Sequence, residues 1–212
     1  MSHDCCHDKG HELEHLAHHK DIRRVLVIVL MLNAMMFLVE FGAGLFARSA
    51  ALMADSVDML GDAMVFGISL YALGRSLRWR AGAALIKGSF ILFLGVGVLG
   101  EIVVKLIWGV VPVSSIMLTV GGMALVANLS CLALLWPYRT HDVNLSSTFE
   151  CARNDTIANL GVLAAAGLVS LSASAWPDIV VAIAIAYLFL RSSLRVIAEA
   201  WPQYRSTMQP AA

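Results

Sequence analysis

Asp58 and Asp62 stand four residues apart, and so do Cys151 and Asp155. On a helix, positions i and i+4 share one face, a turn apart. Each pair is therefore a two-pronged set of metal-capable side chains. Both pairs sit inside long apolar stretches, where an ionisable group is costly and marks an ion or substrate pathway. Three carboxylates and a thiolate converging from two helices make a four-ligand site for a divalent metal. The alternative is that they are polar helix-packing groups or structural ion pairs, which hold membrane helices together at modest gain. Three aspartates, with Asp55 a fourth, are costly for that purpose, because like charges resist sharing a site unless protonated or metal-bound.

Such ligands need long helices to carry them, and composition supplies these. The chain has 212 residues, 59% of them hydrophobic and only 14% charged, against roughly 25% charged in a soluble domain. Its apolar stretches reach the 20 or so residues that cross about 30 Å of hydrocarbon. We read an all-α membrane protein, a six-transmembrane-helix bundle. The formal net charge is zero, which gives a nucleic-acid partner no support. The four cysteines (Cys5, Cys6, Cys131, Cys151) do not read as a secreted disulfide framework. The start is polar and rich in histidine, unlike a signal peptide.

The spans are expected at about Val25–Ala47, Ala51–Leu73, Ala81–Trp108, Val113–Trp136, Val143–Leu171 and Pro177–Ala200. They form a six-helix transmembrane domain over residues 21–201, between a tail at 1–20 and a short tail at 202–212. Connections are short, so neighbouring helices run antiparallel. On one side the turns are Arg48-Ser49-Ala50, Gly109 to Pro112 and Ser172 to Ala175. The other side carries Lys20, Arg23, Arg24, Arg75, Arg78, Arg80, Arg139, Arg191, Arg195 and Arg205. By the positive-inside rule that side, with both termini, is cytoplasmic. Asp58 and Asp62 then lie roughly 10 to 17 Å into the second span. Antiparallel packing puts Asp58 level with Asp155, and Asp62 level with Cys151.

Other polar groups accompany the pairs. Asn33 and Glu40 in the first span either line the ion path and support the ligands, or simply hydrogen-bond a neighbouring helix. Asn154 and Asn159 flank Asp155 and join that set. Asp55 reads as an architectural or gating residue. In the tail, His3, His7, His11, His15 and His19 recur every fourth residue, with His18, Cys5 and Cys6 nearby. On a helix they form a stripe suited to collecting metal in the cytoplasm. Otherwise the tail is a solvated leader or a remnant of expression.

Taken together, these residues resemble the cation diffusion facilitators, six-helix exporters of divalent metals. The resemblance runs through all six spans. It rests on Asn33 and Glu40, Ser49 to Leu52, Ala54 to Asp62, Glu101 and Lys105, Gly122 and Asn128, Val143 to Leu145, Cys151 to Asp155, Asn159 to Val162, and Trp176 to Ile179. In that family, two helices each give a His/Asp-x-x-x-Asp pair to the transported metal. The resemblance implies Asp58, Asp62, Cys151 and Asp155 as metal ligands, proton-coupled antiport by alternating access, and a secondary transporter rather than an enzyme. It implies a divalent metal, Zn2+ first, as substrate and protons as coupling ion. Its setting is a lipid bilayer, expected to be a bacterial inner membrane, with a homodimer through the transmembrane helices as a possible assembly.

Three departures stand out. Cys151 occupies the usual histidine position, and a thiolate favours zinc, cadmium or other soft ions, unless it merely packs as a small hydrophobe. Arg153 is close to the pair and would oppose a cation if it faced the site. The sequence stops about ten residues after the sixth span, where the family usually adds a cytoplasmic domain, so a truncated form is expected. The competing reading, a membrane metal sensor or chaperone partner that binds without transporting, draws on the last two departures and on the tail.

Overall fold

The computed structural model describes residues 4–71, 77–138 and 143–206, and every element in them is helical. The six long helices are α1 (Asp4–Ala47), α2 (Ala50–Tyr71), α3 (Leu77–Trp108), α4 (Ser114–Leu135), α5 (Val143–Ser172) and α6 (Trp176–Ser206). A short 3-10 turn, Trp136–Tyr138, follows α4. The expected spans fall within four residues of these helices, except that α1 begins at Asp4, where the polar tail adds several turns, and α6 runs six residues past Ala200 to Ser206.

The three helices that arrive at the end without the cluster of arginines stop in the same way. Arg48, Gly109 and Ala173 have φ of +51°, +61° and +48°, the left-handed conformation that reverses a helix and caps its carbonyls. Arg48 N–H donates to Leu45 O and Ser49 N–H to Gly44 O, the paired bonds of a Schellman motif. The Gly109 and Ala173 amides each reach back four residues, to Lys105 O and Val169 O.

Five helical segments are long and apolar enough to cross a membrane by length and composition: Asp21–Ala47, Ala81–Trp108, Ser114–Tyr138, Ala152–Ser172 and Trp176–Pro202. Helix α2, with 22 residues, is of similar length but carries three aspartates. It can do so because it is central. Ser49 to Val57 form an unbroken buried run, and α2 packs against α1, α3, α5 and α6. The helices around it turn large apolar side chains outward, such as Leu38, Phe46, Phe93, Ile107 and Leu171. All five tryptophans are exposed and near helix ends, Trp108 and Trp176 at one end of the bundle, Trp79, Trp136 and Trp201 at the other. That is the aromatic belt of a membrane-spanning bundle. The chain is a multi-pass integral membrane protein in contact with lipid.

Within the bundle, α3 and α6 form a close antiparallel pair. A Cβ on Gly88 would stand 2.6 Å from Ile197 Cγ1, and one on Gly95 would stand 2.5 Å from Leu190 Cδ2. Small residues allow such approach, which replaces the hydrophobic drive that lipid does not supply. Ser193 Oγ donates to Gly88 O at 2.6 Å across the same seam. Helices α1, α2, α4 and α5 pack together beside this pair.

Candidate metal centre

The polar groups of the bundle fall in three levels along α2. At the tight-turn end, Asp178 of α6 reaches the first turn of α2. Its Oδ1 accepts from Ser49 Oγ at 2.5 Å and from Ala51 N–H at 3.2 Å, and its Oδ2 accepts from Ala50 N–H at 2.9 Å. Lys105 of α3 donates to the same Oδ2 at 2.5 Å, with both side chains fully buried. Ser49 Oγ also accepts from Leu52 N–H at 3.1 Å, which makes Ser49 the N-cap of α2. A carboxylate at a helix N-terminus meets the positive end of the helix dipole, so this level is electrostatically complete. Nearby, Val113 N–H donates to Ala47 O at 2.9 Å and ties α4 to the end of α1.

One turn further along α2, the second level is the reverse. Glu40 of α1 and Asp55 of α2 are within electrostatic range of each other, 0% and 1% exposed. The two carboxyl groups are in side-chain contact, and among the described residues no other group donates to either Glu40 oxygen or to Asp55 Oδ2. Two buried carboxylates without donors make a strong demand for cations or protons.

The third level holds the sequence-predicted pairs. Helices α2 and α5 place Asp155 within electrostatic range of Asp62, Asp58 and Asp55. Asp155 is 4% exposed, while Asp58 and Asp62 are half-buried. Among the described residues, no three His, Cys, Asp or Glu side chains stand close enough together to hold one ion. The carboxylates share a region without forming a closed cage. The fourth expected ligand, Cys151, lies on α5 one turn before Asp155, and its side chain is outside the described residues.

The accompanying residues divide. Asn33 is buried, and its Nδ2 donates to Val29 O at 2.9 Å and lies 3.9 Å from Cys131 Sγ on α4. Asn159 is buried, and its Nδ2 donates to Asp155 O at 3.3 Å. Both therefore border the third level. Asn154 is exposed, because one residue along a helix turns a side chain about 100° from its neighbour. The structure does not bring it to the carboxylates. Arg153 is exposed too, on the side of α5 away from buried Asp155. In the tail, His7, His11, His15, His18, His19, Cys5 and Cys6 fall on α1, but their side chains lie outside the described residues, as does all of His3.

Two residues near the third level were not singled out from the sequence. Cys131, buried on α4, is within electrostatic range of Asp155 and Asp62. Lys87 of α3 lines a cavity of about 50 Å³ together with Asp58 and Asp62. The signal for both was present, since a cysteine and a lysine inside an apolar span are unusual. Their orientation towards α2 and α5 was not.

A family model of the cation efflux transmembrane domain matches residues 26–203. The chain belongs to that family. It is similar to the metal cation efflux system protein CzcD of Cupriavidus metallidurans, 24% identical over 212 residues, covering 91% of this chain and 66% of that protein. The cation efflux system protein CzcD of an Alcaligenes species matches to the same extent. A 68-residue stretch is 34% identical to an uncharacterized protein in the glgB 5′ region of Geobacillus stearothermophilus, covering 32% of this chain and 63% of that one. The chain spans just under two thirds of the length of the two CzcD relatives.

Proposed function

We propose that the chain exports divalent metal cations of the zinc class, exchanging them for protons through a site made by Asp58, Asp62, Asp155 and Cys151. One observation carries the reading. In a chain of the cation efflux family, α2 and α5 place Asp58, Asp62 and Asp155 within electrostatic range of one another inside the bundle. Zn2+ is favoured because carboxylates and a thiolate together suit a borderline-soft, four-coordinate ion. Metal binding needs deprotonated ligands, so loading releases protons and protonation favours release. The same groups thus couple metal to protons without a separate relay.

The direction of transport follows from two features. Positive residues gather at the end of the bundle that holds both termini, which makes that end cytoplasmic. The opposite end carries the saturated Asp178–Lys105 network. The site is then reached from the cytoplasmic half, and a rocking of helices turns it outward. Glu40 and Asp55 lie towards the outer end and form a step on the exit path. A bacterial inner membrane is the setting, and a homodimer through transmembrane helices is the assembly. Arg153 lies on the exposed side of α5, away from buried Asp155, which favours transport over the sensor reading.

Reconstituted vesicles test this. The wild-type chain is expected to move Zn2+ across the vesicle membrane when a pH gradient is imposed, and Asp62→Ala to reduce the flux to that of protein-free vesicles. Wild-type flux in Asp62→Ala would overturn the assigned site.

A further inference from the structure

The cavity beside the proposed site is walled by α2, α3 and α6 and includes Asp58, Asp62, Lys87, Gly88, Phe189 and Ser193. Its volume of about 50 Å³ accommodates a few water-sized guests. It contains two of the three carboxylates of α2 and one cationic side chain. The placement of Lys87 is built into the packing. Gly61 lies between Asp58 and Asp62 in sequence, and a Cβ there would stand 3.2 Å from Ile91 Cδ1. Ile91 follows Lys87 by one helical turn, so the α3 face that meets Gly61 is the face that carries Lys87. Gly88, the next residue, fixes α3 against α6 through Ser193 and the close approach to Ile197. The positive charge of Lys87 reaches Asp58.

We propose that Lys87 is a tethered counter-cation, a positioning residue that occupies the Asp58 end of the site before metal arrives and is displaced by it. The inference rests on the functional reading above and adds a determinant of affinity and release to it. A buried carboxylate group without a cation is costly, and an ammonium on a four-carbon stem can stand in and then withdraw along its own length. A divalent ion outcompetes it by charge. Once metal is bound, the ammonium sits close by and repels it, which weakens binding and speeds release. A transporter needs that, since an ion held too tightly does not leave.

The test is calorimetric titration of the purified full chain with Zn2+. Lys87→Met is expected to bind Zn2+ about tenfold or more tightly than wild type, the size expected for removing one charge within a few ångströms of the ion. Lys87→Arg, which restores the charge, returns the affinity towards wild type. In an Asp58→Asn background, titrated at higher Zn2+ because binding is weaker, Lys87→Met removes only the repulsion and no longer the competition for Asp58, so it is expected to shift affinity less. A purely structural lysine would instead weaken binding in both backgrounds. Unchanged or weaker Zn2+ binding by a folded Lys87→Met chain overturns the proposal, while leaving the functional reading intact. A wild-type chain that binds no Zn2+ overturns the functional reading itself. Should Lys87→Met not fold, Lys87→Gln takes its place, and a chain that folds only with a cation at position 87 assigns the residue to structure and overturns the proposal.

Discussion

The bundle contains two meetings of a lysine from α3 with an aspartate from a neighbouring helix, and they differ in almost every physical respect. Lys105 and Asp178 are both fully buried, and the carboxylate accepts from the ammonium, a serine hydroxyl and two amides of the first turn of α2. The carboxylate has no acceptor site left over to bind a metal. Lys87 and Asp58 meet across a cavity, half-buried, with Asp62 and Asp155 within electrostatic range. There the negative charge exceeds the positive. The lesson is that an intramembrane ion pair reveals its role by its surplus. A saturated pair fastens helices, whereas a pair with excess acceptors around it holds a place for a cation.

The contrast can be broken by making the same change at both sites. Asp178→Ala leaves Lys105 buried and unpaired and strips the first turn of α2 of its carboxylate. A loss of roughly 3–5 kcal/mol is expected from such a half-removed buried pair, seen as poor accumulation of the chain or a sharply lowered melting temperature in detergent. Asp58→Ala removes one member of a crowded set and leaves Asp62 and Asp155 in place. Its stability is expected to fall less than that of Asp178→Ala, because those two carboxylates stay in range, while Zn2+ binding weakens sharply. Similar melting curves for the two variants would remove the distinction. A smaller change sharpens it: Ser49→Ala deletes the N-cap hydroxyl and one donor to Asp178, and is expected to cost about 1 kcal/mol of thermal stability without altering Zn2+ affinity. A change in affinity would show that the outer network reaches the site.

The sequence made the helices legible because length, apolarity and turn chemistry agree there. The turns at Arg48, Gly109 and Ala173 fall where short, weakly charged connections were expected, and the i, i+4 spacing of the aspartates put both pairs on helix faces. The partners of those faces were less legible. A helix that meets lipid on one side and protein on the other is apolar all round, so periodicity does not say which side turns inward. Lys87 was visible as a charge in a span, but its facing α2 follows from close contacts at Gly61, Gly88 and Gly95, which depend on two other helices. Asp178 was visible only within a motif, because its four bonds come from two segments more than 70 residues away. Asn154 was included through proximity in sequence to Asp155, and a single residue's rotation carries it to the exposed side.

The central claim is that the transported metal is held by three aspartates and one thiolate from α2 and α5. X-ray absorption at the zinc edge tests it most directly, on the full chain with the tail histidines, Cys5 and Cys6 substituted and one equivalent of Zn2+ added. The account predicts one sulfur at about 2.3 Å and three oxygens at about 2.0–2.2 Å, with the sulfur lost in Cys151→Ser and retained in Cys131→Ser. A shell without sulfur in the parent chain, or one whose sulfur disappears with Cys131 instead, would contradict it.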